Sequence, residues 1–143
     1  MLAYEPIVRD PIRGTYRGHE ILTMPPPSSG GVHIIQMLNI LEHFPVRELG
    51  AGGADNVHLL AEVARLAYAD RSKHLGDPGY YDVPVQWLTS KQYAGELAAT
   101  IDMTKARASD DVAPGVAPWR RVPIPPITLS SMQTASPSPQ PRR

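Results

Sequence analysis

The order of hydrophobic and polar positions changes along the chain from a strand-like pattern to a helical one. Pro6–Arg9, Thr15–Arg17 and His19–Met24 are short stretches with the aliphatic, aromatic and β-branched residues typical of strands. Arg17-Gly18 separates the last two stretches and is typical of a tight turn. The pattern predicts two or three short strands, which end at Pro25-Pro26-Pro27 because proline cannot continue a regular strand.

Two longer helices are predicted after these strands. The first is capped by Ser28 or Ser29 and ends before Pro45. The second follows a glycine-rich link and is capped by Gly53 or Asp55. Small alanine side chains along the second helix favour a close approach between the two.

The apolar positions of these helices define the faces that are expected to be buried. On the first helix they are Ile34, Ile35, Met37, Leu38, Ile40, Leu41 and Phe44. On the second helix they are Val57, Leu60, Ala61, Ala64, Ala67, Tyr68 and Leu75, whereas Glu62, Arg65, Arg71 and Lys73 fall largely elsewhere.

A third helix is predicted to begin at a capping box formed by Thr89 and Gln92 and to run to about Ile101, with a short helical turn at Lys105–Ala108. From Pro114 onward neither period is present, and the Ser, Pro and Arg content is typical of disorder. The chain is therefore predicted to be α+β, mostly helical, with a short N-terminal β-hairpin and a disordered tail.

Composition removes several classes of partner. Lysine and arginine total 14, as do aspartate and glutamate, so no net field favours nucleic acid or a membrane surface. The chain has no cysteine, which excludes disulfides and thiolate metal sites. No apolar run is long enough to span a membrane, and the N-terminus lacks the pattern of a signal peptide.

Few residues suggest chemistry. The stretch from Pro25 to Gly31 leads into a helix start, which suits an anion or carboxylate, but a rigid lead-in with an N-cap is the favoured interpretation. Ser28 and Ser29 lack the context of a serine nucleophile. The histidines show no metal-ligand spacing; they are His19, His33, His43, His58 and His74.

Two further groups have mainly structural interpretations. Asp70-Arg71, with Asp77 beyond it, is expected to form an ion pair that ties the second helix to the next loop. Tyr80, Tyr81 and Trp87 are either a stacking surface or packing beneath a loop, and packing is the default. Residue types alone thus predict a body with no catalytic, substrate-binding or metal site.

The exact order of residues carries more information. Six stretches of the chain resemble the γ-glutamyltransferase family almost residue for residue. They are Pro11–Gly18, Met24–Glu42, Ala67–Arg71, Leu75–Pro78, Val83-Pro84 and Tyr93-Ala94, in that order. Ordered matches from about residue 4 to about residue 118 are a highly specific signal. They are similar to the end of the large subunit in that family.

The resemblance implies an N-terminal-nucleophile hydrolase with an αββα sandwich. In this family one precursor cleaves itself before a threonine, which then attacks the γ-glutamyl carbonyl of glutathione or a similar compound. No cofactor is implied. The resemblance also implies a small subunit as partner, a substrate-binding arginine that precedes residue 1, and a periplasmic or extracellular location for the parent enzyme.

The chain departs from the family after residue 118. The family reads Glu-Ser, two variable residues, then Thr-Thr-His-Tyr-Ser-Val-Val-Asp, whereas this chain reads Trp119 to Met132 without that motif. Read one base out of phase, the codons from Ile124 to Met132 permit the threonine motif in order, and those from Arg120 to Val122 permit Glu-Ser. The hypothesis is a frame shift near Trp119.

These observations predict a large-subunit segment at residues 1–118 and an out-of-frame tail at residues 119–143. The chain alone is expected to be inactive, because it lacks the threonine. Two alternatives are a cephalosporin acylase of the same superfamily and a non-enzymatic fragment that packs against a partner.

Overall fold

The computed structural model describes residues 6–118, and the fold begins with a β-hairpin. Strands β1 (Ile12–Tyr16) and β2 (His19–Thr23) pair antiparallel, with Tyr16 opposite His19. Arg17 and Gly18 both have positive φ, 48° and 84°, as the two central residues of a type I′ turn require. The predicted turn is thus confirmed, but Pro6–Arg9 forms no strand.

Four α-helices and one short 3₁₀ helix follow the hairpin within the described residues. They are α1 (Gly30–Leu41), α2 (Ala54–His74), α3 (Val85–Leu88), α4 (Lys91–Ala98) and the 3₁₀ helix Ser109–Asp111. The starts of α1 and α2 lie where the sequence predicts them, after Ser29 and Gly53. The predicted α+β, mostly helical fold with an N-terminal hairpin is confirmed. The disorder predicted from Pro114 is wrong at Gly115, whose N–H and carbonyl are both hydrogen-bonded, while residues 119–143 lie outside the described residues.

The start of α4 corrects one prediction. Ser90, not Thr89, is the N-cap, and its Oγ accepts a hydrogen bond from the Tyr93 amide at 3.2 Å. The Thr89 hydroxyl instead donates to the Val85 carbonyl at 2.7 Å, so it finishes α3. The predicted capping box is wrong because the short helix α3 ends directly before α4 and its Val85 carbonyl binds the Thr89 hydroxyl.

The core lies between α1, α2 and α4, and its composition corrects the predicted faces. Ile34, Val57, Leu60 and Tyr68 are exposed, although the apolar pattern predicts them inside. The buried positions of α1 and α2 are Gly31, Val32, His33, Ile35, Gln36, Asn39, Ile40, Leu41, Leu59, Glu62, Val63, Leu66, Ala67, Asp70 and His74. The buried faces differ from the predicted ones because polar side chains such as Gln36, Glu62 and Asp70 have hydrogen-bond partners inside the core, which the apolar pattern does not register.

Glu62 shows how such a group is accommodated. Its side chain is fully buried and pairs with Arg65 and with Arg107, whose Nε and backbone N–H donate at 3.0 and 3.2 Å. Burial alone would raise the pKa of Glu62, but the hydrogen bonds from Arg107 and the charge of Arg65 hold that pKa below its ordinary value. This carboxylate therefore fastens the segment after α4 to the middle of α2.

The hairpin is fastened to the helices by a second carboxylate. Glu42, just after α1, accepts the Arg17 N–H at 2.6 Å and pairs with Lys91 at 2.5 Å. Lys91 also donates to the Thr15 carbonyl at 2.8 Å. Gly31 allows the start of α1 to lie close to the chain after β2, since a Cβ on Gly31 would lie 2.0 Å from the Met24 carbonyl oxygen.

Candidate functional site

The most developed polar centre of the described residues surrounds Asp70, in the last third of α2. Asp70 is only 1% exposed, and three groups donate hydrogen bonds to its carboxylate. Gln36 Nε2 and the Tyr93 hydroxyl reach Oδ2 at 2.6 and 2.8 Å, and the Gly115 N–H reaches Oδ1 at 2.8 Å. The carboxylate thus joins α1, α2, α4 and the segment that follows α4.

Gly115 is bound a second time by His74, one turn further along α2. His74 Nε2 lies 2.8 Å from the Gly115 carbonyl oxygen, which can only accept, so the ring nitrogen carries the proton and donates. Asp70 and His74 are four residues apart and therefore share a helix face. We call this pair the Gly115 clamp, since it occupies both backbone polar groups of that residue.

The clamp fits only a residue without a side chain. A Cβ on Gly115 would lie 2.0 Å from the Tyr93 hydroxyl oxygen and 3.0 Å from Cη2 of Trp87. The Trp87 ring stacks on Tyr93 with centroids 4.0 Å apart and meets the His74 ring edge-on at 5.3 Å. Trp87 therefore packs between these rings. The packing interpretation is thus confirmed for Trp87, one of the three aromatic residues considered.

The electrostatics of this polar centre favour a structural role, in which it holds the helices together, over proton transfer to a ligand. Burial and the hydrogen bond to Asp70 raise the pKa of Tyr93, so its hydroxyl remains a donor. The ion pair predicted from Asp70-Arg71 and Asp77 is not formed: Arg71 instead donates from Nε to Ser29 Oγ at 3.2 Å, and Asp77 accepts from the Gly79 N–H. The prediction is wrong because three neutral donors surround Asp70 and Asp77 is bound within its own turn.

The stretch before α1, for which an anion site was the less favoured interpretation, is a packed helix start in the described structure. Ser29 occupies the N-cap position without a side-chain cap hydrogen bond, and Gly31 is buried against the end of β2. His33, in the next turn, is 6% exposed and its Nε2 has no hydrogen-bond partner in the described chain. Burial, with the nearby charge of Arg71, lowers the pKa of His33, so the ring is neutral.

One open cavity of about 530 Å³ lies beside this helix start. It is lined by Arg9, Pro25, Pro26, Pro78, Tyr80, Tyr81, Asp82, Val83 and Val85. Its two charged residues are Arg9 and Asp82, and this pair does not provide a nucleophile next to a general base. Among residues 6–118 no group of histidine, aspartate and glutamate side chains is arranged to hold a metal ion, and no helix is long and apolar enough to cross a membrane.

Sequence reasoning missed most of this centre. Gln36 is a polar position within the apolar run of α1, and Gly115 follows Pro114 in a stretch with no period. A polar residue inside an otherwise apolar face is the only signal that could have pointed to Gln36. Nothing local marks Gly115, because its partners lie 45 and 41 residues earlier in the chain.

Comparison with known proteins gives these features a context. The γ-glutamyltranspeptidase family model matches residues 1–134. The glutathione hydrolase proenzyme of Escherichia coli K12 is 50% identical over 120 residues, which cover 83% of this chain and 21% of that protein. The Acylase ACY 1 proenzyme of Pseudomonas sp. strain SE83 is 54% identical over 101 residues, covering 71% of this chain and 18% of the acylase.

Solved structures agree with the sequence matches. Helicobacter pylori γ-glutamyltranspeptidase superposes with a TM-score of 0.74 at 42% identity, covering 79% of this chain and 32% of that one. The Bacillus anthracis transpeptidase CapD superposes with a TM-score of 0.52 at 33% identity, over 64% of this chain and 30% of CapD. The chain thus spans about a fifth of the curated relatives it matches and about a third of these structures.

Proposed function

Because the chain belongs to the γ-glutamyltranspeptidase family, we propose that its parent protein transfers or hydrolyses the γ-glutamyl group of glutathione and related compounds. The observation that carries this proposal is the family match over residues 1–134, together with 50% identity to a glutathione hydrolase proenzyme. The structural likeness to a γ-glutamyltranspeptidase, with a TM-score of 0.74 at 42% identity, also supports it.

The proposed reaction uses a threonine at the start of a small subunit. Its hydroxyl oxygen attacks the γ-glutamyl carbonyl carbon while its own amine takes the proton. The amide bond of the donor breaks, its amine leaves with a proton, and the acyl-enzyme is then resolved by water or by an amino acid. The small subunit is therefore the proposed partner, and we propose that an arginine upstream of this segment binds the α-carboxylate of the donor, as the family resemblance implies.

The chain of 143 residues is proposed to be inactive alone. No threonine motif follows residue 118 in its frame, whereas the neighbouring frame permits Glu-Ser and then Thr-Thr-His-Tyr in order. We propose residues 1–118 as the large-subunit segment and residues 119–143 as out-of-frame translation. None of the polar centres of residues 6–118 offers a substitute nucleophile beside a base that is open to solvent.

Two experiments test this proposal. Resequencing the gene decides the frame, and DNA that lacks the threonine codons in the neighbouring frame contradicts the frame-shift account. The purified chain is expected to release no product from a γ-glutamyl anilide, whereas the full-length precursor with the frame restored is expected to do so. The matched control is that precursor with the restored nucleophile threonine replaced by alanine, and turnover by the 143-residue chain alone contradicts the proposal.

A cephalosporin acylase is the second candidate, and one observation favours it. The acylase relative is 54% identical over its matched residues, slightly more than the glutathione hydrolase at 50%. The restored precursor should therefore be assayed in parallel with a γ-glutamyl anilide and a cephalosporin side-chain amide. A higher kcat/KM for the cephalosporin would assign the parent protein to the acylases.

A further inference from the structure

We propose that the start of α1 binds inorganic phosphate, with Arg71, Ser29 and the Gly30 N–H as donors and with Nε2 of His33 as the acceptor for the phosphate hydroxyl. The site does not depend on the proposed function, because none of these residues has a role in the proposed γ-glutamyl transfer. It lies on the α2 side of the helix start, whereas the packed side is the one where Gly31 meets the end of β2.

The first part of the site is the free donors of α1. The helix has 12 residues and no acidic side chain in its first turn, so the partial positive charge of its N-terminus is not neutralised there. Gly30 is exposed, and within residues 6–118 its N–H donates to no backbone or side-chain acceptor. Ser29 makes no side-chain cap hydrogen bond, and its Oγ accepts from Arg71, so its hydroxyl proton is available to a ligand.

The second part is a cation that is already held at this place. Arg71 is exposed, and its Nε is anchored to Ser29 Oγ at 3.2 Å. Its guanidinium carbon lies 6.0 Å from the centroid of the Tyr68 ring. Over the described residues no carboxylate forms an ion pair with Arg71. The two terminal nitrogens of a guanidinium fixed in this way match two oxygens of a phosphate.

His33 supplies an independent observation that points to a ligand. Its side chain is only 6% exposed, yet Nε2 has no hydrogen-bond partner among residues 6–118. Side chains of a helix tilt toward its N-terminus, so the ring of His33 lies over the first turn of α1. The ring centroid is 5.2 Å from that of Tyr68, the same ring that Arg71 covers. The unpartnered nitrogen and the guanidinium therefore share one corner between α1 and α2.

The tautomer of His33 selects the ligand. The Ala67 carbonyl accepts a hydrogen bond from the ring, and because Nε2 is the unpartnered nitrogen, the proton lies on Nδ1. Nε2 of this neutral ring is an acceptor, which a fully ionised sulfate or carboxylate cannot satisfy. Monohydrogen phosphate has charged oxygens for Arg71 and the helix start and one O–H for Nε2. The charge of Asp70 also acts on the ring and opposes an anion, but three donors to its carboxylate offset that charge in part.

A nuclear magnetic resonance titration of the ¹⁵N-labelled 143-residue chain tests the site at pH 7.5 and constant ionic strength. Sodium phosphate is expected to shift the resonances of the Gly30 amide and of His33 Nε2. It is also expected to bind about tenfold more tightly than sodium sulfate, the scale of one hydrogen bond to a buried group. Equal affinities for the two anions, or phosphate binding that leaves both resonances unshifted, would overturn the proposal.

Variants test the individual residues. Arg71→Gln is expected to weaken phosphate binding by about tenfold. Lys73→Gln is the matched control, because it removes the same charge from an exposed position on another side of α2, and it should change the affinity by less than about twofold. Equal losses in the two variants would show that the anion responds to general charge, and the site would be refuted.

His33→Phe keeps an aromatic ring beside Tyr68 and removes Nε2. It is expected to abolish the preference for phosphate over sulfate, and a preference that persists in the folded variant would contradict the role of His33. If this variant does not fold, the selectivity of the parental chain and the Arg71→Gln comparison still decide the proposal.

Discussion

Replacing Asp70 by alanine is expected to destabilise the chain more than any surface substitution. The change removes the one acceptor shared by Gln36, Tyr93 and the Gly115 amide, each within 2.8 Å of the carboxylate. All three donors would remain in a region where Asp70 itself is 1% exposed, so they would lose their acceptor in a buried site.

The magnitude follows from these orphaned groups. Each buried donor left without a partner costs about 1–3 kcal/mol, and removal of the buried charge offsets part of the sum. We therefore expect a loss of about 3–5 kcal/mol in the free energy of unfolding. A domain of this size has a total of about 5–15 kcal/mol, so the variant would lie close to the limit of folding.

Urea unfolding followed by circular dichroism at 25 °C provides the measurement. Asp110→Ala serves as the control, because Asp110 is exposed and its substitution is expected to change the free energy by no more than about 0.5 kcal/mol. If Asp70→Ala costs less than about 1 kcal/mol in the free energy of unfolding, the carboxylate does not hold the three elements together.

Two further predictions concern the start of α1. Gly31→Ala is expected to lower the melting temperature by several degrees, because its Cβ would lie 2.0 Å from the backbone oxygen of Met24. Gly30→Ala is the control and should leave the melting temperature unchanged, because the nearest contact of its Cβ would be at 3.6 Å. Equal melting temperatures of the two variants would contradict this packing. His33 is buried and neutral with a pKa lowered from 6.5, so the unfolded chain binds the proton first and stability falls as the pH drops below about 6.5. Urea unfolding at pH 7.5 and pH 5.5 should show a smaller fall for His33→Gln than for His43→Gln, and identical falls would show that His33 is not the responsible group.

Local sequence signals predicted the order of elements well. Arg17-Gly18 marks the hairpin because both positions need positive φ, and glycine tolerates it. Gly53 and the serines before α1 mark helix starts within a residue of their place. These features depend on neighbours in the sequence, so a single chain contains the information needed to predict them.

The orientation of the helices was not predictable in the same way. Counting apolar positions placed Tyr68 and Leu60 inside, yet they are 58% and 46% exposed, while Glu62 is fully buried. Glu62 is tolerated inside because Arg65, one turn along α2, pairs with it and because Arg107 reaches it from 45 residues further along the chain. A pattern that scores each residue by hydropathy has no means of representing a partner that distant.

The two buried carboxylates of α2 explain why this helix faces inward as it does. Glu62 and Asp70 lie eight residues apart, about two turns, and therefore on the same face. Each binds a different point of the segment after α4, Arg107 and Gly115. That segment has only one short 3₁₀ helix among its described residues, and its apolar residues that pack against the core, Ile101, Met103 and Val112, are only partly buried. Apolar contact tolerates sliding, whereas a buried carboxylate without its donors is costly, so these two residues select one register of the segment. The buried polar residues of α2 thus serve mainly to fix the path of the chain after α4, and less to fill the volume of the core.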